Sequence, residues 1–506
     1  MRFLPNWSTF AAKRHEKSCS LLPASPIRPT IDALRHFGRA ARNSYDPVLR
    51  IGVTGLARSG KTVFTTALVH HLITQGDLPA LQASGEGRLR RARLVPQPDD
   101  DVPRFAYEEH LARLVEARQW PESTTRISQL RLALDYERGR GSWFGGPARL
   151  TLDIVDYPGE WLLDLALIDE EFADWSREVI TAARAPQRHD IAGPFLAQLD
   201  ALDPLAPADE QRIAQFAQTF KAYLTALRQG PEAIATTPPG RFLMPGDLAG
   251  SPALTFAPLV LVPGAALPRG SLAALMQRRY EAYKRHVVTP FFRDHFRHLD
   301  RQIVLVDVLS ALDGGAQALA ELEHALDRVL LAMRAGRNSW LTRLFAPRTE
   351  RVLFAATKAD HLHQSQHRAM EAILRHLVER AIGRVRAAGA QVGAVAIAAL
   401  RATHETTVRE GAEVVRAVAG TPEAGERIGE TVFDGATEAA VFPGDLPEDP
   451  ARVFAGASHG GIAPGSLRFP RFRPPATPAH LPGRKARLPH IRLDRALEFL
   501  IGDHLR

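Results

Sequence analysis

Short stretches of this 506-residue chain hold residue types at spacings that can do chemistry. One is Gly55-Leu56-Ala57-Arg58-Ser59-Gly60-Lys61-Thr62, a complete G-x-x-x-x-G-K-T loop. Its glycines let backbone N–H groups close on an anion, Lys61 reaches terminal phosphates, and the Thr62 hydroxyl can ligate Mg2+. Gly55, Ser59, Gly60, Lys61, Thr62 and Val63 are the phosphate-side candidates. A second stretch, Asp156-Tyr157-Pro158-Gly159, is a D-x-x-G arrangement: the aspartate holds Mg2+ through water and the Gly159 N–H feels a γ-phosphate. A third, Thr357-Lys358-Ala359-Asp360, matches [N/T]-K-x-D. There a carboxylate accepts both N–H donors on one edge of guanine while the lysine stem covers the base, and adenine lacks that donor pair. Ala399 and Leu400 stand where backbone N–H groups would close a base pocket, although Ala398-Ala399-Leu400 lacks the usual serine-alanine start.

Each motif needs a strand end to hold it. Val48 to Thr54 is an apolar run suited to a buried parallel strand, and Val63, Phe64, Ala67, Leu68, Leu72 and Ile73 recur at helical spacing just after the glycine loop. Leu150–Asp156, Ile303–Asp307, Arg351–Ala356 and Val392–Ala399 read as further strands, Ala316–Met333 as a helix, and Leu493 to Ile501 as a closing amphipathic helix. The expected fold class is therefore α/β: a P-loop NTPase G domain with a mainly parallel sheet. The distance from Asp156 to Thr357 far exceeds the roughly 60 residues of one strand-helix-strand unit. The surplus, residues 161–299, has Ile213, Phe216, Phe220, Tyr223 and Leu227 at three-four spacing and is expected to be a helical insertion. The full expected division is a partly disordered leader over 1–45, with a short helical pattern from Ile31 to Ala41, then a first G-domain part over 46–160, holding a small insertion near 77–119. After the helical insertion come a second G-domain part over 300–410, a Gly/Pro-rich β-containing subdomain over 411–485, and the closing helix within 486–506.

The first part also contains Ser123-Thr124-Thr125 ahead of the strand candidate Ser128–Tyr136. A threonine here would complete the Mg2+ shell; Thr125 is taken for that ligand, with Thr124 as the alternative.

With these motifs in hand, the chain resembles the YcjX-like family of bacterial P-loop GTPases. The resemblance rests on Val53 to Thr62, on Asp156-Tyr157-Pro158-Gly159-Glu160-Trp161-Leu162-Leu163-Asp164, on Asp300 to Asp307, on Thr357 to Asp360 and on Pro489 to Asp494. It spans nearly everything from Val48 onward, and D-Y-P-G-E-W is its most specific phrase. It implies a cytoplasmic, stress-associated protein that binds GTP and GDP, and it names no client. Many GTPases orient the attacking water with a glutamine after the D-x-x-G glycine; Glu160 stands there instead, and a carboxylate beside a γ-phosphate points to slow turnover. Arg58 is taken as the catalytic cation beside Lys61 and Glu160, with Arg118 and Arg126 as alternatives.

Composition bounds the rest. Lysine and arginine number 64 against 56 acids, a net charge of +8, mild for this length. The cluster Arg88, Arg90, Arg91 and Arg93 is followed at once by Asp99, Asp100 and Asp101, and the tail cluster around Arg471 and Arg473 offers only Phe469 and Phe472 for base stacking. Both are read as solvated faces or loops, and no sequence-specific nucleic acid is expected. The longest apolar run, Ala253 to Leu267, is broken by Pro258, Pro263 and Gly264, so no membrane span is expected, and the single Cys19 excludes multi-cysteine metal sites and points to a reducing compartment. His361, His363 and His367 are read as surface histidines, and of His70-His71 one is expected inward and one outward. Two functions remain: a slow GTP hydrolase switch recognised by a protein partner or activator, or a nucleotide-gated scaffold or membrane-peripheral interaction protein with negligible hydrolysis.

Overall fold

The computed structural model describes residues 47–506 except 57, 123, 125, 140–145, 230–237, 246–247, 263, 265, 295–297, 333–348, 388, 411–412, 455–466 and 477–487. The leader with its Ile31–Ala41 pattern, Cys19 and Thr125 lie outside the described residues.

Strand β1, Val48–Gly55, is apolar and buried on both faces, which suits a strand covered by helices on either side. It pairs in parallel with β4, Pro147–Asp156, on one edge and with β5, Arg301–Val306, on the other. Beyond β5 run β6, Arg351–Ala356, and β7, Gln391–Ala396, both parallel. Beyond β4 the direction alternates: β3, Ser128–Glu137, is antiparallel to β4, and β2, Leu89–Val95, is antiparallel to β3. The seven-stranded order is β2-β3-β4-β1-β5-β6-β7. From β1 the chain crosses to the edge strand β2, works back through β3 to β4 beside β1, and then adds β5, β6 and β7 on the other side, so the carboxyl end of β1 is the topological switch point where open α/β sheets bind ligands. This is the mixed α/β, mostly parallel architecture expected.

Strand β2 was not foreseen. Three of the clustered arginines, Arg90, Arg91 and Arg93, lie on it, at the sheet edge, with Arg90 and Arg91 exposed and Leu89 and Ala92 buried. A register shift between Leu89 and Arg91 inserts an extra residue, which destroys the two-residue alternation that marks a half-buried strand.

Helix α1, Lys61–Thr74, follows the glycine loop and is buried nearly all round. Both His70 and His71 are therefore inside, correcting the one-in, one-out expectation: His70 Nδ1 lies 3.1 Å from the Tyr107 hydroxyl, and the His71 ring meets that of His490 edge-on at 4.8 Å. Tyr107 opens α2, Tyr107–Val115. At the carboxyl terminus α13, Leu493–Ile501, buries Leu493, Ala496, Leu497, Leu500 and Ile501 in the same core as β1.

Between β4 and β5 the regular elements among the described residues are helical: α3, Gly159–Asp164; α4, Phe172–Ala183; α5, His189–Asp200; α6, Glu210–Gln229; α7, Leu272–Tyr283; and α8, Thr289–Asp294. Their core is aromatic. Trp175 stacks on Tyr280 at 5.2 Å and meets Phe256 at 5.4 Å, while Phe195 stacks on Tyr223 at 5.3 Å. Each such ring removes on the order of 150–250 Å² from water, enough to give this segment a core of its own. Helices α9, Val308–Asp313, α10, Gly315–Ala332, α11, His367–Leu377, and α12, Glu379–Ala387, surround β5 to β7.

After β7 come β8, His404–Glu410, and β9, Glu413–Gly420, then the short pair β10, Arg427–Ile428, and β11, Thr431–Val432, and finally β12, Ala439–Val441. β12, β9 and β8 form a small antiparallel sheet, separate from the main one. Among the described residues no helix is long and apolar enough to cross a membrane.

Candidate nucleotide site

The glycine loop leaves β1 and enters α1 at the switch point. Gly60 sits at φ 85, a left-handed conformation that only glycine adopts without strain. The loop closes through Ser59 N–H to the Leu56 carbonyl at 3.3 Å and Phe64 N–H to that of Gly60 at 2.8 Å. Lys61 folds back over it, its ammonium donating to the carbonyls of Gly55 at 3.0 Å and Leu56 at 3.2 Å. Gly159, which opens α3, lies directly against this loop: a Cβ there would fall 2.0 Å from the Gly55 carbonyl oxygen. The D-x-x-G turn and the phosphate loop are in backbone contact, and no larger residue fits.

The hydroxyls and the aspartate meet in a chain. Thr124 donates to Asp156 Oδ2 at 2.9 Å, so its single proton is committed and the Thr62 hydroxyl, 3.1 Å away, donates to Thr124 Oγ1. Asp156 is buried, and its Oδ1 has no hydrogen-bond partner; the same is true of Ser59 Oγ. Burial pushes the Asp156 carboxyl up to about 6, against the pull of the Lys61 ammonium and the Thr124 bond. A buried carboxylate with an orphaned oxygen beside two hydroxyls is a hard-oxygen donor set that fits Mg2+. Thr124, the alternative of the sequence reading, is the threonine described at this place, whereas Thr125 lies outside the described residues.

On the other side, Thr357 N–H donates to the Val306 carbonyl at 3.0 Å and Ala359 N–H to that of Ile397 at 3.0 Å, which hangs the T-K-x-D loop between β5 and β7. Lys358, at φ 62, ion-pairs with Asp307 at the end of β5. Burial works against ionisation of Asp307, but the Lys358 charge and the bonds from Lys358 and Ser310 hold its carboxyl below the usual range. Asp360 is buried; its Oδ2 accepts from the Ala402 N–H at 2.8 Å and its backbone carbonyl from the Thr403 hydroxyl. The 398–401 turn is held by the carboxyl-terminal segment: Ala398 and Ile491 exchange backbone bonds of 3.1 and 2.8 Å, and Arg401 N–H donates to Pro489 at 2.7 Å.

These two halves face one cleft of about 340 Å³. It is lined by Arg58, Gly60, Lys61, Thr62, Val63 and Thr124 at one end and by Thr357, Lys358, Asp360, Ala399 and Leu400 at the other. Gly55, Ser59, Asp156 and Gly159 are buried and do not line it. Glu160 belongs to α3, and its side chain lies outside the described residues. Arg58, at φ 62, is exposed at the cleft. Arg118 is engaged elsewhere, with Nε donating to the Pro474 carbonyl at 3.0 Å, and Arg126 is exposed and does not line the cleft.

The histidines differ from expectation. His361 and His367 are buried, not on the surface: His367 Nε2 lies 2.8 Å from the Ala359 carbonyl and braces the T-K-x-D turn from behind. Burial lowers the pKa of both rings. Among the described residues no group of three or more histidines, cysteines or acids could hold a metal. Trp120, Glu423, Arg471 and Phe472 also line the cleft, and the sequence motifs did not include them.

The model of the YcjX-like family, DUF463, matches residues 49–505. The chain belongs to the YcjX-like family. It is 37% identical over 474 residues to the Ras-like GTPase YcjX of Escherichia coli strain K12, covering 91% of this chain and 97% of that one. It is 33% identical over 480 residues to the Ras-like GTPase YcjX of Shewanella oneidensis, covering 91% and 95%. The matched region of the YcjX-like model runs from β1 to the end of α13 and so includes both the helical stretch and the small antiparallel sheet.

Proposed function

We propose that this protein binds GTP and GDP with Mg2+ and hydrolyses GTP slowly to GDP and phosphate. It acts as a nucleotide-dependent switch in a bacterial stress response, in the cytoplasm, and a protein partner reads its state. One observation carries the reading: a single cleft has the Lys61, Thr62 and Thr124 group at one end and the buried Asp360, beside Lys358, at the other. The names of its relatives support the nucleotide class.

In this reading Lys61 and the loop N–H groups bind the β- and γ-phosphates, while Thr62, Thr124 and Asp156 hold Mg2+, which supplies charge neutralisation on the phosphates. Asp360 accepts the guanine N–H pair, the Lys358 stem lies against the base, and Ala399 and Leu400 close the pocket. The Gly159 N–H meets the γ-phosphate and passes its presence to α3. Arg58 is the cation at the cleft that offsets transition-state charge, and Glu160 at the water-orienting position keeps turnover low. That same glutamate favours the second reading, a nucleotide-gated scaffold or membrane-peripheral protein with negligible hydrolysis.

Single-turnover hydrolysis and equilibrium binding with GTP and ATP, with and without Mg2+, in wild type and Lys61→Ala, decide between them. Mg2+-dependent GTP cleavage lost in Lys61→Ala supports the hydrolase. Tight guanine binding without cleavage supports the scaffold, and equal preference for ATP removes the guanine assignment.

A further inference from the structure

The cleft has a wall that neither the phosphate loop nor the guanine-side loops supply. Glu423, Arg471 and Phe472 form it. Their segments are zipped together, with Glu423 N–H donating to the Arg471 carbonyl and Arg473 N–H to that of Thr421, both at 2.7 Å. Phe472 is buried with Ala402, Val418 and Val441 and meets the His361 ring edge-on at 5.3 Å, so the wall is anchored to the small antiparallel sheet and to the T-K-x-D loop.

This wall is bonded to the loop that leads to Thr124. The indole N–H of Trp120 donates to the Phe472 carbonyl at 2.6 Å, and Trp120 itself lines the cleft. Two residues earlier, Arg118 reaches the same segment through Pro474, and it does so from φ 49, a conformation that costs a non-glycine residue on the order of a kcal/mol or more. A strained residue and a half-buried indole bond thus converge on one junction, between the Mg2+-side loop and a segment distant in sequence.

We propose that the Trp120–Phe472 junction, braced by Arg118 and Pro474, is a clasp over the nucleotide: it retains a bound purine nucleoside diphosphate, which leaves when the junction opens. The clasp rests on the reading of the cleft as a guanine-nucleotide site and adds what governs release. Trp120 and Arg118 are positioning residues: they act through the loop they hold. The mode is mechanical. With the junction closed, Trp120 and the 471–472 wall, both of which line the cleft, are tied to each other; with it open, each moves independently.

The test is dissociation of N-methylanthraniloyl-GDP from the full-length protein, chased with excess GDP, in wild type, Trp120→Phe and Arg118→Ala. Trp120→Phe keeps an aromatic ring and removes the N–H; Arg118→Ala removes the brace without touching the ring. Each is expected to speed release about three- to tenfold, the range set by one net hydrogen bond, with the association rate constant within about twofold. Misfolding lowers the signal amplitude and leaves the dissociation rate constant of the bound fraction alone, so a structural role would not move this readout. Release at the wild-type rate in both variants overturns the clasp while leaving the guanine site standing. A wild-type protein that fails to bind the labelled GDP overturns both.

Discussion

Asp360 does two things with one carboxylate. Its Oδ2 already accepts the Ala402 N–H, which fixes the side-chain plane, so the other oxygen is the one available to a base. In Asp360→Asn the amide oxygen is held by that same N–H and the NH2 group then faces the guanine donors, turning an attraction into a donor–donor clash. Calorimetry should show GTP affinity falling about 10- to 100-fold, the cost of a mispaired buried hydrogen bond, and unchanged affinity would remove the base-pocket assignment. Thr124 is the corresponding residue at the phosphate end. Thr124→Val cuts the chain from Thr62 to Asp156 and removes a donor from an aspartate already raised by burial. The Mg2+ concentration needed for half-maximal GTP binding should rise several-fold, and binding of GDP in chelator should change little. An unaltered Mg2+ requirement would return the ligand role to Thr125.

Helix α3 is only six residues long, yet it joins the phosphate loop to the helical body. At its start Gly159 touches the loop backbone. At its end the buried Asp164 accepts from the N–H groups of Gly240 at 2.7 Å and Arg241 at 3.1 Å and from the Tyr283 hydroxyl at 2.6 Å, while the Arg241 guanidinium covers the Trp161 ring at 3.2 Å. On the proposed reading, a shift of Gly159 with the γ-phosphate has a packed, hydrogen-bonded route into the body. Asp164→Ala leaves these donors unpaired and should lower stability by about 2–4 kcal/mol in urea titration, since each orphaned buried donor costs about 1–3 kcal/mol. A loss below about 1 kcal/mol would mean the junction is solvated. Which parts of this were legible beforehand follows from the same local physics. Apolar runs leading into the glycine loop, D-x-x-G, Asp307 and T-K-x-D mark β1, β4, β5 and β6, because parallel strands buried on both faces cannot hide their composition. β2 escaped because its bulge breaks the alternation at Leu89 to Arg91. The wall of Glu423, Arg471 and Phe472, and Trp120 bonded to it, escaped for another reason: they belong to no contiguous motif, and only tertiary folding brings 471–473 against 421–423 and 118–120. The burial of His361 and His367 was hidden likewise, since a turn's own sequence does not say what packs behind it.

At the scale of the whole molecule, the carboxyl-terminal segment closes the fold over α1. His490 meets His71, Pro489 and Ile491 hold the 398–401 turn, and α13 seals the core beneath β1. This closure leaves a pH signature. Burial, then the neighbouring His490 and His70, bring the pKa of His71 from 6.5 down to about 4. A histidine whose folded pKa is depressed stays neutral in the fold while the unfolded chain takes up a proton, so its contribution to stability is present above about 6.5 and is lost as pH falls toward 4. Asp156 and Asp164 act in the opposite sense. Burial raises each to about 6, the folded state protonates first, and the cost of their charge at neutral pH disappears as pH falls through that value. The measured slope for the intact protein is the difference of these effects, which is why a substitution is needed to isolate one. His71→Gln keeps a polar side chain of similar reach and cannot titrate. Urea titrations at pH 7 and 4.5 should show wild type losing on the order of 2–3 kcal/mol relative to His71→Gln between the two, one pKa unit being worth about 1.4 kcal/mol. Parallel stability curves for the two proteins would mean that His71 takes up its proton as readily in the fold as out of it, and that the carboxyl-terminal segment does not seal α1 from water.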